Sequence, residues 1–123
     1  MAFSQALQCL SIPVSADMTN KQFYIVKGST TSVTLCTAGV QPIGVCVDTP
    51  AASGRPGNIA ISGVCKVVAG AAITAGAYVA SDSSGKAVTA ASADFALGIA
   101  RSAAAADGDV ISVLLMPQLG KMW

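Results

Sequence analysis

The sequence predicts an all-β protein, a small β-barrel or β-tulip-like sandwich with an extended N-terminal arm. Three observations predict it. From Gln22 onward, short runs of apolar and β-branched residues recur at intervals of roughly 8 to 12 positions, the rhythm of sandwiches and barrels. Between the runs, Gly, Asp and Ser gather where turns need them. The alanine-rich stretches 69–77 and 100–106 are too short and too flanked by glycine to hold a helix of more than about two turns.

Three parts follow along the chain. Residues 1–21 carry neither a helical nor a strand period, and with Pro13 in the middle they read as an extended arm outside the core. Residues 22–117 form the β domain, through "QFYIV", "SVTLC", "GVCVD", "NIAIS" with "GVCKVVA", "AYVAS", "KAVTA", "ALGIA" and "DVISVLLM". Residues 118–123, "QLGKMW", are a tail. "SDSSGKA" (81–87) reads as a hairpin turn with Gly85 at positive φ, and Gly70 and Gly76 bracket a turn and short linker. Alternation in "NIAISG" and "DVISVLL" points Ile59, Ile61, Val110 and Val113 towards packed faces.

One phrase occurs twice. "IGVCVDTPAASGRPGNIAISG" (43–63) and "LGIARSAAAADGDVISVLL" (97–115) share an apolar-Gly-apolar opening, an alanine-rich loop and an alternating strand. They read as two strand-loop-strand units of one barrel. Their loops exceed what a tight hairpin needs, which makes them candidate contact surfaces. The first loop is stiffened by Pro50 and Pro56, with Arg55 between Gly54 and Pro56, and stiffening lowers the entropy lost on docking.

Composition narrows the function. Of 123 residues 53% are hydrophobic and only 11% charged, so a lone subunit has little polar surface with which to cover itself, and oligomerisation is the natural remedy. A net charge of +1 concentrates no phosphate-binding field, so no direct nucleic-acid contact is expected. Gly, Ser and Thr interrupt every apolar run short of a membrane span. There is no histidine and no glutamate, which rules out the usual catalytic triad. The four cysteines, Cys9, Cys36, Cys46 and Cys65, match no zinc or redox spacing and read mostly as small buried hydrophobes. Asp82, Asp107 and Asp109 stand beside turn glycines, where aspartate serves the backbone. No catalytic, cofactor or metal residue is expected, and the chain reads as non-enzymatic.

Contact residues remain. Phe3, Leu7, Leu10 and Ile12 are apolar residues of the arm without a periodic partner, and the reading assigns them to a neighbouring subunit, the alternative being packing back onto the chain's own barrel. Trp123, the single tryptophan and last residue, is a candidate anchor alongside Pro50, Arg55 and Pro56.

Two segments carry a family resemblance. The run 69–85 fits "A-G-x-x-(I/V)-x-A-G-x-x-V-x-x-D-x-x-G" with Gly70, Ile73, Ala75, Gly76, Val79, Asp82 and Gly85, and "LGIA" at 97–100 with "DGDVISVLL" at 107–115 supplies the closing pattern. In this order, over about residues 22–117, the chain resembles the phage capsid cement, or head decoration, family. The resemblance implies a subunit, commonly a trimer, that docks on the capsid exterior of the virion, bridges the major capsid protein and stabilises the shell against packaged DNA. It would be made in the host cytoplasm. The rival reading is a secreted or cell-surface binding module cleaved near Asp17 and carrying disulfides.

Overall fold

The computed structural model describes residues 5–15, 17–28, 32–49, 52–91 and 95–115, with 5–7 as backbone only. Nine strands build it: β1 (Gln5–Pro13), β2 (Tyr24–Gly28), β3 (Val33–Leu35), β4 (Gly44–Cys46), β5 (Pro56–Val68), β6 (Tyr78–Ser81), β7 (Ala87–Thr89), β8 (Ala96–Ala100) and β9 (Val110–Leu115). No helix occurs among the described residues. All strand pairings are antiparallel, in one sheet of order β3-β2-β4-β5-β9-β8-β6-β7, with β1 added to β5. The expected all-β fold is observed, as a sheet curled into a half-barrel.

The order is symmetric about the β5–β9 ladder. β2 to β5 and β6 to β9 repeat one connectivity: a hairpin (β2–β3, β6–β7), a return beside its first strand (β4, β8), then a second hairpin (β4–β5, β8–β9). Tyr24 and Tyr78 open β2 and β6, Val33 and Ala87 open β3 and β7, and Gly44 and Gly98 lie in β4 and β8, each pair 54 positions apart. The doubled phrase is the visible part of this larger repeat.

Curling brings the two end hairpins together. Gly85, at φ 83°, turns the β6–β7 hairpin, and its carbonyl accepts the Ile25 N–H at 2.7 Å. An added Cβ at Gly85 would stand 3.0 Å from the Ile25 carbonyl oxygen, so glycine permits both the turn and the approach. Nearby, Phe23 adopts φ 66°, its N–H donating to Cys46 O at 2.6 Å and its carbonyl accepting from Val68 N at 3.0 Å.

The sheet has a core on each face where β2, β4 and β5 lie. The inner cluster holds Ile25, Val45, Ala60, Cys65, Val67, Val79, Leu97, Ile111, Val113 and Leu115 among others. The outer one holds Val14, Met18, Val26, Val33, Cys46 and Ile59, with Ile12, Leu35 and Ile61 against it. Burial on both faces is why "YIV", "GVC" and "IAI" are continuous apolar runs rather than alternating ones.

Two expectations are corrected. The N-terminal segment is extended, but it is not outside the core: β1 pairs with β5 from Gln5↔Val64 to Pro13↔Pro56, and Val14 and Met18 are fully enclosed. The segment was unreadable as a strand because its apolar residues split between a sheet edge and a crossing of the outer face. Val110 does not face a packed surface. It is 42% exposed, while Ile111, Val113 and Leu115 turn inward. "VISVLL" has apolar residues on both phases, and the wrong phase looked equally good.

Candidate contact surfaces

The residues proposed for contact converge in part. Leu10 and Ile12 of β1 lie beside the start of β5, where Leu10 pairs with Ile59, Ile12 with Gly57 and Pro13 with Pro56. The turn before β5 is tied to the same place: Val14 N donates to Arg55 O at 2.9 Å, and Gly54 N, at φ 87°, donates to Val14 O at 2.7 Å. Leu10 (49% exposed), Arg55 and Pro56 are therefore exposed on neighbouring segments, with Ile12 half-buried between them and the outer cluster. Leu7 lies in β1, where only its backbone is described. Phe3, Pro50 and Trp123 fall outside the described residues.

The second copy of the repeated phrase behaves differently. Its loop folds down on the body: Ile73 and Ala104 exchange hydrogen bonds of 3.0 and 2.9 Å, Gly108 N donates to Ala69 O at 2.8 Å, and Asp109 Oδ2 accepts from Ala105 N at 2.8 Å and Ala106 N at 3.2 Å. Exposed alanines 103, 105 and 106 form a smooth surface with little reactive chemistry. The first loop is an edge feature and the second a lid. Sequence reasoning missed a further apolar pair, Val40 and Ile43, each 36% exposed on the β3–β4 connection. Nothing in "GVQPIG" distinguishes them from core residues.

The titratable groups serve the loops. Asp82 Oδ1 accepts from Ser84 N at 2.8 Å and Lys86 N at 2.9 Å, both carboxylate oxygens of Asp48 lie 3.2 Å from Asn58 N, and Asp17 takes the Thr19 amide at 2.9 Å. The Thr19 hydroxyl holds the Asp17 carboxyl below its ordinary value. Lys86 Nζ meets Asp107 Oδ1 at 3.1 Å on the surface, and this bond raises the lysine's pKa. Among the described residues no three His, Cys, Asp or Glu side chains gather as a metal site would require.

All four cysteines are free, with Cys9 exposed and Cys36, Cys46 and Cys65 buried. Burial raises the pKa of these three thiols, Cys65 to about 12. A raised folded-state value means that their contribution to stability is complete below the ordinary thiol value near 9 and drains away as pH climbs through the folded one. A disulfide-exchange reagent should therefore titrate one thiol per chain in the folded protein, Cys9, and all four in denaturant. Rapid reaction of a second thiol without denaturant would show that the outer or inner core is open.

The whole of this arrangement, from the first residue of β1 to the last of β9, is matched by the phage cement protein family, over residues 5–115. The chain belongs to the phage cement protein family. Membership makes it a structural protein of the phage head, associated with the capsid. The cement chain is also similar in fold to a solved structure, the N base of the head fiber gp8.5 of bacteriophage phi29. That likeness has a TM-score of 0.71 at 14% identity, and covers 95% of this chain and 98% of the other. At that identity the likeness is one of fold. No curated protein matches the cement chain in sequence.

Proposed function

We propose that the chain docks on the outer surface of an assembled phage head, bridges major capsid proteins and stabilises the shell against the pressure of packaged DNA. It acts by adhesion alone, without catalysis or cofactor, and as a homo-oligomer, for which the family resemblance implies a trimer. The observation that carries this reading is the family match across 5–115. The convergence of Leu10, Ile12, Arg55 and Pro56 at one edge supports it as an attachment point, arginine being enriched in docking patches. All four thiols being free gives no support to a disulfide-bonded secreted module.

Purified chain mixed with heads lacking their decoration tests this. It should co-sediment to a fixed number of copies per head and raise the temperature at which the heads release DNA. The double variant L10D/R55E should keep the fold and lose about tenfold or more in affinity. Wild-type chain that stays in the supernatant would overturn the reading, and an unaffected variant would move the attachment point elsewhere.

A further inference from the structure

The repeat leaves the two halves of the sheet unequally covered. In the first half Tyr24 pairs with Cys46 and Cys46 with Ile59, and both Cys46 and Ile59 are fully enclosed in the outer cluster with Val14 and Met18. The matching row in the second half is Tyr78, Ile99 and Leu114, continued by Val64 of β5. Leu114 lies between the inward Val113 and Leu115, so it points to the outer face, and the residues paired across from it share that face. None of the four belongs to either cluster: Tyr78 is 41% exposed, and Ile99, Leu114 and Val64 are half-buried.

The difference comes from the course of the chain. Each half is entered through a segment that makes a parallel bridge to the second strand of its first hairpin, Val14↔Val33 in one and Ala69↔Ala87 in the other. After the first bridge the chain crosses the outer face to Met18, whereas after the second Ile73 joins the inner cluster, tied to Ala104. A second row runs beside the bare one. Lys66 pairs with Ser112, and Arg101 N donates to Ser112 O at 2.7 Å, which sets a half-buried lysine and an exposed arginine on either side of the buried Ser112. Lys66 stands between the inward Cys65 and Val67, and Arg101 follows the inward Ala100, so both rows lie on one face. Neither row contains an acidic residue.

We infer that this face is a second docking surface of the subunit, and that its occupant is a capsid protein surface of apolar residues flanked by carboxylates. The inference rests on the proposed function and deepens it. A subunit that bridges by itself needs two attachment surfaces, and Val64 stands eight residues along β5 from Pro56, roughly 25 Å in an extended strand. Charge selects the occupant. Two copies of the chain meeting through this face would set Lys66 and Arg101 against their own kind, and the tail 118–123 brings Lys121 and no acidic side chain. Carboxylates on a capsid protein complement both cations, and tyrosine and arginine are residues that interfaces enrich.

The double variant Y78S/R101E tests the face on heads lacking their decoration. Both side chains are exposed, so the fold should survive, with protection of the three buried thiols as the check. Affinity for heads should fall about tenfold or more, Arg101→Lys should retain most of it, and wild-type affinity should weaken as salt rises. At saturation the double variant should raise the temperature of DNA release less than wild type does, because it holds by the β1 edge alone. Wild-type chain that ignores heads would overturn the proposed function together with this face. Wild-type binding that L10D/R55E weakens and Y78S/R101E leaves unchanged would overturn this face alone. So would a wild-type oligomer that Y78S/R101E breaks apart in sedimentation velocity, because the occupant would then be a second copy.

Discussion

Gly44→Ala is expected to abolish stable folding or to cost about 3 kcal/mol or more, at the upper end of what overpacking does. Gly44 is fully buried at the start of β4, where an added Cβ would collide with the Ala60 carbonyl oxygen, with the Ala60 carbonyl carbon at 3.1 Å and Ile59 Cγ2 at 3.2 Å behind it. A flexible side chain could step aside, but here the obstacle is backbone of β5. Relief requires β4 to move off β5, breaking the Val45↔Ala60 and Cys46↔Ile59 register and opening both cores at once, since Val45 and Ala60 belong to one and Cys46 and Ile59 to the other. Urea denaturation followed by circular dichroism measures the loss. A midpoint within error of wild type would show that the close approach of β4 to β5 is absent in solution.

Met18→Ala should destabilise by about 3 kcal/mol, within the range for removing a buried methionine side chain, and lower Tm by roughly 10 °C or more in a domain of this size. Met18 is 2% exposed and packs in the outer cluster with Val14, Val26, Val33, Cys46 and Ile59. It holds the chain after β1 across the outer face of the sheet. Met18→Leu conserves volume and should cost less than about 1.5 kcal/mol. Calorimetry of the two variants separates packing from mere tolerance: equal melting temperatures would mean that Met18 does not bury the outer face.

The strands of the β domain were legible because their apolar runs and turns are local signals. "SDSSGKA" specified its hairpin down to the positive φ of Gly85, and the doubled "IGVC" and "LGIA" marked β4 and β8. What lay hidden depends on residues far apart in sequence. Val14 and Met18 carry no period because they cover a sheet crosswise, and their partners come from β2, β3, β4 and β5. The unbroken "GVC" and "IAI" held the clue that both faces of those strands are covered, but not which segment covers the second. The wider repeat escaped notice because β2 and β6 share little beyond Tyr24 and Tyr78, and turn geometry, rather than side-chain identity, preserves their spacing. Of the contact edge, the sequence offered Leu10, Ile12, Arg55 and Pro56 as separate candidates, and only the register of β1 on β5 places them together.

The mirrored strand order also bears on how fast the chain can reach its folded state. Within each half the hairpins join near neighbours and can close early, whereas the central seam sets Gly63 opposite Leu115, and β1 sets Gln5 opposite Val64. Such distant meetings cost chain entropy before they return contact energy. The halves can therefore take shape in parallel, and the rate of folding is governed by their encounter along β5, the longest of the described strands, which receives both β9 and β1.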